Sequence, residues 1–433
     1  MASATYATPG VYIEEDASLS LSINTSPTAI PVFIGKFFKK NGSQLEKGSC
    51  IRITSWLDFT SQFSLSPAVS VQATGERDEK TYIATVTATS LSAFAVQHYF
   101  NNGGGVCYLL PLVETVPGEV TKELATLPDL IEKQQEITLL VCPETDTALK
   151  QKVYDAVNSL LQAKVGYFLI ADSKDGTEKP DTQADKTAVY YPDLVTSFTY
   201  SRPADADIKL DGYENTDTLA KLKTASSEEY AAAKKAVDDK WQKLLANPIT
   251  LPPSAAVAGA YAATDANRGV WKAPANLALN NAKPSVAITD TTQGTMNDAG
   301  INVIRAFTGK GTLIWGSRTL DKTNNWRYIP VRRLFNAAER DIKKAMQFAV
   351  FEPNSQPTWK RVQTAIDNYL YQLWQQGALA GNKPQEAYFV QIGKDITMSD
   401  TDIKQGKMIV KVGMAAVRPA EFIILQFSQN VAQ

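Results

Sequence analysis

The chain has 433 residues, of which 44% are hydrophobic and 21% charged, and its formal net charge is -1. This length is enough for two or three domains with their own hydrophobic cores. The balanced charge excludes a global basic surface for nucleic acid or anionic lipid, and no run is long and apolar enough for a transmembrane helix. The first residues lack the pattern of a signal peptide, so we expect synthesis in the cytoplasm.

The N-terminal stretch 18–24 has the alternation of a β-strand. Leu19, Leu21 and Ile23 alternate there with polar residues, which places the three on one face. No turn sequence such as Asn-Gly joins this stretch to a neighbouring strand, and a lone strand is not stable in water. It therefore either pairs with a sheet of its own chain or extends the sheet of another subunit.

The central part of the chain alternates short apolar runs with helical patterns. Strands are predicted at residues 29–35, 106–110, 137–142 and 165–171. Helices are predicted at residues 148–163, 216–247 and 252–265. This alternation indicates an α/β sheet that is at least partly parallel. The Ser/Thr-rich residues 61–90 indicate a small β insertion or an exposed loop, and residues 173–186 indicate a loop.

Two glycine runs resemble phosphate-binding loops but lack the right context. Such a loop should follow a strand and open a helix, whereas residues 101–105 follow a helical pattern and lead into a strand. In residues 309–312, Gly311 occupies the Ser/Thr position and the earlier glycine is missing. Residues 101–105 are better interpreted as a helix-to-strand connection, and neither run by itself supports nucleotide binding.

The sequence offers few candidates for catalysis. Cys50, Cys107 and Cys142 are far apart and have no metal-like spacing, which is typical of small buried residues in a reducing compartment. His98 is the only histidine, which leaves Cys142 with His98 as the candidate Cys-His pair. No paired carboxylates are marked out as acid and base. We predict no catalytic residue, no cofactor and no metal site.

A strand-like run at residues 326–331 leads into an amphipathic helix that ends near residue 351. Its apolar positions recur at spacings of three and four and form one stripe. Five basic residues lie largely off that stripe: Arg332, Arg333, Arg340, Lys343 and Lys344. They form either a solvated face or a contact with an acidic protein partner. A second helix is predicted from Pro357 to Gly377.

The C-terminus is predicted to end in two strands. Residues 406–415 alternate as in a half-buried strand, and Arg418-Pro419 interrupts the chain after it. In residues 421–428 both faces are apolar, so that the strand needs cover on both sides. One face carries Ile423, Leu425 and Phe427, and the other carries Phe422 and Ile424.

Several landmarks along the chain resemble one family. They are Thr8-Pro9-Gly10-Val11-Tyr12-Ile13-Glu14-Glu15, residues 100–108, Tyr191-Pro192-Asp193-Leu194, residues 260–265, residues 268–276, Ile314-Trp315-Gly316-Ser317-Arg318-Thr319-Leu320, Val331-Arg332-Arg333-Leu334, Phe351-Glu352-Pro353-Asn354, residues 377–379 and residues 387–390. Together they resemble the contractile tail sheath family. They look most like sheath proteins of extracellular contractile injection systems, of the antifeeding-prophage and Photorhabdus virulence-cassette type.

The resemblance implies a structural subunit that stacks as hexameric rings around an inner tube and contracts to drive that tube through a target envelope. The implied fold is α/β, and α+β overall. An N-terminal arm (1–25) precedes an outer α/β domain (26–305) with variable segments at 61–90 and 173–247. An inner, tube-facing α+β domain (306–433) follows and ends in a C-terminal β arm (417–433).

In this family terminal arms join the sheets of neighbouring subunits. The arm residues are then Leu19, Leu21, Ile23, Phe422, Ile423, Ile424, Leu425 and Phe427. The tube contact is expected at Arg332, Arg333, Arg340, Lys343 and Lys344.

The expected partners are copies of the chain itself, the inner tube protein, sheath paralogues, and baseplate and terminal cap proteins. Neither nucleic acid nor membrane insertion is expected. Assembly would take place in the bacterial cytoplasm, and the particle would act after release. Two alternatives stay open: a tail accessory or baseplate protein that shares the sheath fold, and a nucleotide-dependent α/β enzyme.

Overall fold

A computed structural model describes residues 23–40, 48–75, 80–87, 91–112, 119–213 and 216–424. These residues form two compact units. The larger comprises residues 25–340 with 416–424, and the smaller comprises residues 23–24 with 341–415. Each unit is built from both helices and strands, so the predicted mixed α/β class is confirmed.

The strands are β1 (Pro31–Gly35), β2 (Ile51–Ile53), β3 (Ala68–Thr74), β4 (Thr81–Thr87), β5 (Cys107–Pro111), β6 (Leu139–Val141), β7 (Phe168–Asp172), β8 (Thr187–Tyr191), β9 (Leu194–Val195), β10 (Lys209–Asp211), β11 (Thr250–Leu251), β12 (Leu277–Ala278), β13 (Lys283–Pro284), β14 (Ile301–Phe307), β15 (Gly311–Trp315), β16 (Tyr388–Gln391) and β17 (Lys411–Met414). The α-helices are α1 (Trp56–Gln62), α2 (Ser92–Asn101), α3 (Glu119–Glu132), α4 (Thr147–Ala163), α5 (Leu219–Ala225), α6 (Ser227–Leu245), α7 (Ser254–Arg268), α8 (Asp290–Ala299), α9 (Ile329–Ala345), α10 (Gln356–Gln375), α11 (Pro384–Ala387) and α12 (Asp400–Lys404). Short 3-10 helices lie at Ala184–Lys186 and Met346–Ala349.

The larger unit is organised around a nine-stranded sheet in the order β12-β15-β14-β8-β7-β6-β1-β5-β2. The six strands from β14 to β5 in this order are mutually parallel. Antiparallel pairs of β2 with β5 and of β15 with β14 close the parallel part at its two edges. Every residue of β1, β5, β7 and β8 is buried, as expected for a parallel sheet covered on both faces.

Helices cover the two faces of this sheet. One core contains apolar side chains of α1, α2 and α7, and the other contains those of α3 and α4. The approach of α7 to α2 requires Gly259, because a Cβ there would lie 2.4 Å from the backbone oxygen of Tyr99. The small residues of α7 thus allow close helix packing against the sheet.

A satellite sheet in the order β10-β3-β4 packs against α5 and α6. This sheet joins the two segments expected to be variable, 61–90 and 173–247. Its core includes Val71, Leu210, Val237 and Trp241. The predicted β insertion within residues 61–90 is thus confirmed.

The smaller unit contains α10 and an antiparallel pair formed by β16 and β17. Tyr369 on α10 donates a hydrogen bond to Asp341 at 2.9 Å. Strand β17, the partner of β16, lies within the range 406–415 that was predicted as a half-buried strand. The side chains on its predicted buried face are all partly covered: Met408, Val410, Val412 and Met414. Pro357 lies in the first turn of α10, as the sequence predicts.

Two sequence expectations are corrected. The strand-like run at 326–331 is not a strand, because α9 begins at Ile329. The domain boundary expected after residue 305 falls inside β14, which pairs with β15 from Val303 to Phe307. The two units instead divide at Arg340/Asp341, near the end of α9.

Candidate assembly site at the root of the C-terminal arm

Residues 416–424 are fixed to the larger unit by the carboxylate of Glu421. Arg318 donates to both of its oxygens, with Nε at 2.9 and 3.1 Å and Nη2 at 2.8 Å. Asn297 donates to Oε1 at 3.0 Å, and the Tyr328 hydroxyl donates to Oε2 at 3.1 Å. A paired-nitrogen contact of this kind fixes orientation as well as distance. We call these four residues the arm anchor.

The arm anchor is largely shielded from water. The Arg318 side chain is 12% exposed and that of Glu421 is 20% exposed. Burial alone would raise the pKa of Glu421, but hydrogen bonds from Arg318 and Asn297 hold it below its ordinary value. The ionised form is therefore the one that the site stabilises.

The apolar residues immediately after the anchor project into solvent. Phe422, Ile423 and Ile424 are 72%, 80% and 81% exposed. The described part of the predicted 421–428 strand has no strand geometry, because an isolated strand needs a partner to form. The other predicted arm residues are Ile23, which is buried, and four that lie outside the described residues: Leu19, Leu21, Leu425 and Phe427.

Beside the anchor lies a cleft of about 550 Å³, which we call the arm-root cleft. Its walls come from the end of α7, the loop that follows it, α8, the end of β15 and the C-terminal extension. Residues 268–276 and 314–320, two of the sequence landmarks, therefore meet at the point where the arm leaves the domain.

Local backbone features build the walls of the cleft. Gly269 ends α7 with a φ of 87°, and a Cβ there would lie 2.4 Å from the ring of Trp271. The backbone oxygen of Trp315 accepts a hydrogen bond from Gln293 on α8 at 2.9 Å. Glycine at position 269 is thus required for the Trp271 ring to lie against the backbone.

Comparison with known proteins identifies the family. Residues 129–320 match the phage tail sheath protein central domain, and residues 321–430 match the phage tail sheath C-terminal domain. A chain in the cryo-EM structure of the anti-feeding prophage helical sheath in its contracted state is 45% identical, with a TM-score of 0.72, and the match covers 98% of this chain and 100% of that one. The chain belongs to the contractile tail sheath family. It is a structural subunit of a contractile sheath.

Other relatives of this sheath protein agree with that assignment. A chain in the contracted PVC sheath complex of an extracellular contractile injection system is 40% identical, with a TM-score of 0.69 and 99% of each chain covered. The tail sheath protein of Vibrio phage KVP40 is 29% identical over 125 residues, and a putative prophage major tail sheath protein of Pseudomonas aeruginosa (strain UCBPP-PA14) is 25% identical over 177. These two matches cover 28% and 39% of this chain. The chain spans 19% and 44% of the length of the two curated relatives.

The sheath protein does not expose the whole predicted basic face of α9. Arg333 is 3% exposed, and its guanidinium pairs with Asp265 through nitrogen–oxygen distances of 3.0 and 2.6 Å. Arg332 is 5% exposed and reaches Asp185 and Glu339 at 3.5 and 3.1 Å. The expectation that these two arginines belong to an exposed face is wrong, because the fold buries both side chains and pairs them with carboxylates.

The other three basic residues of α9 differ among themselves. Arg340 is half-buried, and its guanidinium donates to the backbone oxygen of Gln135 at 2.7 Å. Its aliphatic part occupies the space that a Cβ on Gly166 would need. Lys343 and Lys344 are exposed. A contact through this end of α9 stays a prediction for those two lysines.

The residues and glycine runs considered for catalysis or nucleotide binding lie in the hydrophobic cores and in the connections between elements. Burial raises the pKa of Cys142 to about 12 and lowers that of His98 to about 4, so that both are neutral near pH 7. Cys142 packs in the core on the α3/α4 face, whereas the apolar neighbours of His98 on α2 pack in the opposite core. The glycine run 309–312 comprises the end of the turn between β14 and β15 and the first two residues of β15, and 101–105 joins α2 to β5.

Two further properties concern only the described residues. No group of three or more His, Cys, Asp or Glu side chains there is arranged to hold a metal ion. No helix in those ranges is both long and apolar enough to cross a bilayer.

Sequence reasoning missed the arm anchor. It identified the apolar residues after Glu421 but gave the carboxylate no role, and it treated Arg318 only as part of a landmark. The useful pattern was a single acidic residue placed immediately before an apolar terminal run. Its partner lies 103 positions away along the chain, so only the fold brings the two together.

Proposed function

We propose that this subunit polymerises as stacked hexameric rings around a rigid inner tube, and that the array contracts to drive the tube through a target envelope. The observation that carries the proposal is the anchored root with an unpaired apolar run beyond it. Three large apolar side chains exposed in succession, fixed in direction by Arg318, are suited to a contact with another subunit. Contracted sheaths among the relatives support the same interpretation.

A candidate acceptor for an arm lies in the smaller unit. The described strands β16 and β17 form a sheet of only two strands, and such a pair is marginally stable until further strands extend it. Phe389 on β16 is 51% exposed. Addition of an arm from a neighbouring subunit would supply backbone hydrogen bonds to the sheet and cover apolar side chains.

Such links explain how subunits can move while remaining connected. One short arm contributes little after the cost of ordering it, but many arms in a closed lattice reinforce one another through effective concentration. Contraction then needs no nucleotide, because the energy is the difference between two packings of the lattice. We accordingly propose a structural role without a catalytic site.

The proposed partners are copies of the chain, the inner tube, sheath paralogues, and baseplate and cap proteins, with neither nucleic acid nor membrane insertion. Lys343 and Lys344 are the proposed tube-facing residues. Assembly in the bacterial cytoplasm and action in a released extracellular particle complete the proposal. A second candidate is a sheath-like baseplate protein, which is favoured by a chain 45% identical in the anti-feeding prophage baseplate structure.

The experiment is to end the chain at Glu421, so that the arm anchor is kept and the exposed run is removed. We expect a folded protein with an unchanged melting temperature that forms no sheath. A matched control replaces Phe422, Ile423 and Ile424 with serine in the full-length chain and should behave in the same way. A truncated chain that still forms long cylinders would refute the role of the arm. Isolated single rings from the wild type would favour the baseplate candidate.

A further inference from the structure

One side of the arm-root cleft carries positive charge that no described part of the chain neutralises. Arg268 and Arg418 are exposed, and Lys272 is half-buried. Across the described ranges, none of these three cations has a carboxylate within salt-bridge distance. Within the part of the chain that the structure describes, Lys272 donates only to the backbone oxygen of Ala273, at 3.2 Å. Burial and the nearby charge of Arg268 lower its pKa, so an anion here would relieve a local excess of positive charge.

A second, independent feature of the cleft also points to a ligand. Ser317 is 9% exposed and lines the cleft, and its hydroxyl has no hydrogen-bond partner among the described residues. Buried polar atoms are nearly always paired, and an unpaired one needs an explanation. A polar group that enters the cleft would supply the missing partner.

The walls define the chemistry of that ligand. Trp271 and Trp315 offer aromatic surface beside the three cations, and Trp315 is 38% exposed. The matching occupant is a short peptide with adjacent carboxylates and at least one aromatic or branched apolar side chain. Tryptophan faces bind such side chains, and the cations pair with the acids.

This chain contains one such segment. Glu14, Glu15 and Asp16 are its single run of three consecutive acidic residues, and Tyr12 and Ile13 precede them. The segment lies outside the described residues. Asp16 lies seven positions before Ile23, and an extended chain of seven residues spans at most about 25 Å. The segment can therefore lie at most about that distance from Ile23, the first residue that the structure describes.

We infer that the arm-root cleft of one subunit binds residues 12–16 of a neighbouring copy. The acids pair with Arg268, Lys272 and Arg418, and the apolar residues lie against the tryptophans. Assignment to a neighbouring copy rests on the proposed lattice. Because the C-terminal extension forms one wall of the cleft, an occupied cleft also holds the outgoing arm in place, which couples the N-terminal link to the C-terminal one.

A charge-swap series tests the pairing. One variant carries Glu14→Lys, Glu15→Lys and Asp16→Lys, a second carries Arg268→Glu and Lys272→Glu, and a third combines all five changes. We measure the protein concentration needed for sheath formation by sedimentation and electron microscopy. The first and the second variant should each raise this concentration at least about tenfold. The combined variant should restore it to within about threefold of wild type, because the reversed charges again attract each other.

The control reverses two exposed lysines outside the cleft, Lys283→Glu with Lys310→Glu, and should change little. A cleft variant that assembles like wild type, or a combination no better than either set alone, overturns the inference. Wild-type protein that forms no cylinders would instead contradict the proposed function, and with it the assignment to a neighbouring copy.

A disulfide cross-link distinguishes whether the segment in the cleft comes from a neighbouring copy or from the same chain. This test does not depend on the charge variants. Glu15→Cys and Lys272→Cys are introduced together with Cys50→Ser, which leaves only the buried Cys107 and Cys142 as native thiols. Oxidation should give a ladder of disulfide-linked oligomers on a denaturing gel. A cross-linked monomer would show that the segment occupies the cleft of its own chain, and no cross-link at all would refute occupation of the cleft.

Discussion

Loss of the Glu421 carboxylate should weaken sheath assembly without unfolding the subunit. Glu421→Ala removes the acceptor for Arg318, Asn297 and Tyr328 together. The chain also provides a matched control, because Asp298 lies 3.7 Å from the same arginine but is 87% exposed. Asp298→Asn therefore removes a carboxylate near Arg318 without removing a buried contact.

The size of the effect follows from burial. A hydrogen bond to a charged group contributes about 1.5–3 kcal/mol, and breaking a fully buried ion pair costs about 3–5 kcal/mol. Because Glu421 is 20% exposed, we expect the lower part of this range, about 2–3 kcal/mol. We expect the loss to fall on the position of the arm, because 416–424 contributes no strand to the nine-stranded sheet. An exposed pair such as that with Asp298 contributes about 0–1 kcal/mol.

The assay is the critical concentration for sheath formation, measured by sedimentation, together with the melting temperature. About 2–3 kcal/mol corresponds to a rise of roughly 30–150-fold for Glu421→Ala. The melting temperature should stay within a few degrees of wild type, and Asp298→Asn should change neither quantity. Equal effects of the two substitutions, or an unchanged critical concentration for Glu421→Ala, would refute the anchoring role.

Three further predictions concern the larger unit. Arg333→Met should lower the free energy of unfolding by about 3–5 kcal/mol in chemical denaturation, because Asp265 stays buried without its cation. Burial and the charge of a neighbouring carboxylate raise the pKa of Asp193 to about 6, so wild type loses stability as pH rises through 6. Asp193→Asn should remove that loss and raise the stability at pH 7.5 by up to about 2 kcal/mol, as measured by melting curves across pH. Gly259→Ala should destabilise by about 1–3 kcal/mol in the same denaturation assay, because its Cβ would meet the backbone oxygen of Tyr99.

The substitutions at Arg333 and Gly259 each have a control in the same chain. Lys343→Met removes an exposed cation from α9 and should change stability by less than about 0.5 kcal/mol. Gly294→Ala on α8 meets nothing within 4 Å and should stabilise by about 0.5–1 kcal/mol. If Arg333→Met matches Lys343→Met, the buried pair has no such role. If Gly259→Ala behaves like Gly294→Ala, the close helix approach does not limit that position. A pH profile of Asp193→Asn parallel to wild type would contradict the raised pKa.

The elements that were predicted correctly are those with a sequence pattern confined to the element itself. Continuous apolar runs identified β1, β5, β6 and β7, because a strand buried on both faces shows no polar alternation. Proline and glycine bounded α10, since each fixes the backbone at a helix end.

Contacts between distant residues were not predictable in this way. The basic positions of α9 have the spacing of a solvent-exposed helix face. Only the fold shows that Arg332 is buried beside Asp185 and Arg333 beside Asp265. The arm anchor was missed for the same reason. Helical periodicity describes one element, whereas the pairing of charges depends on which elements the tertiary structure brings together.

Electron microscopy of the wild-type protein, expressed alone and together with its tube and baseplate proteins, tests the central claim most directly. A polymerising sheath subunit should form striated hollow cylinders, and in the presence of the tube protein these should enclose a tube. Dispersed particles in both samples would contradict the account.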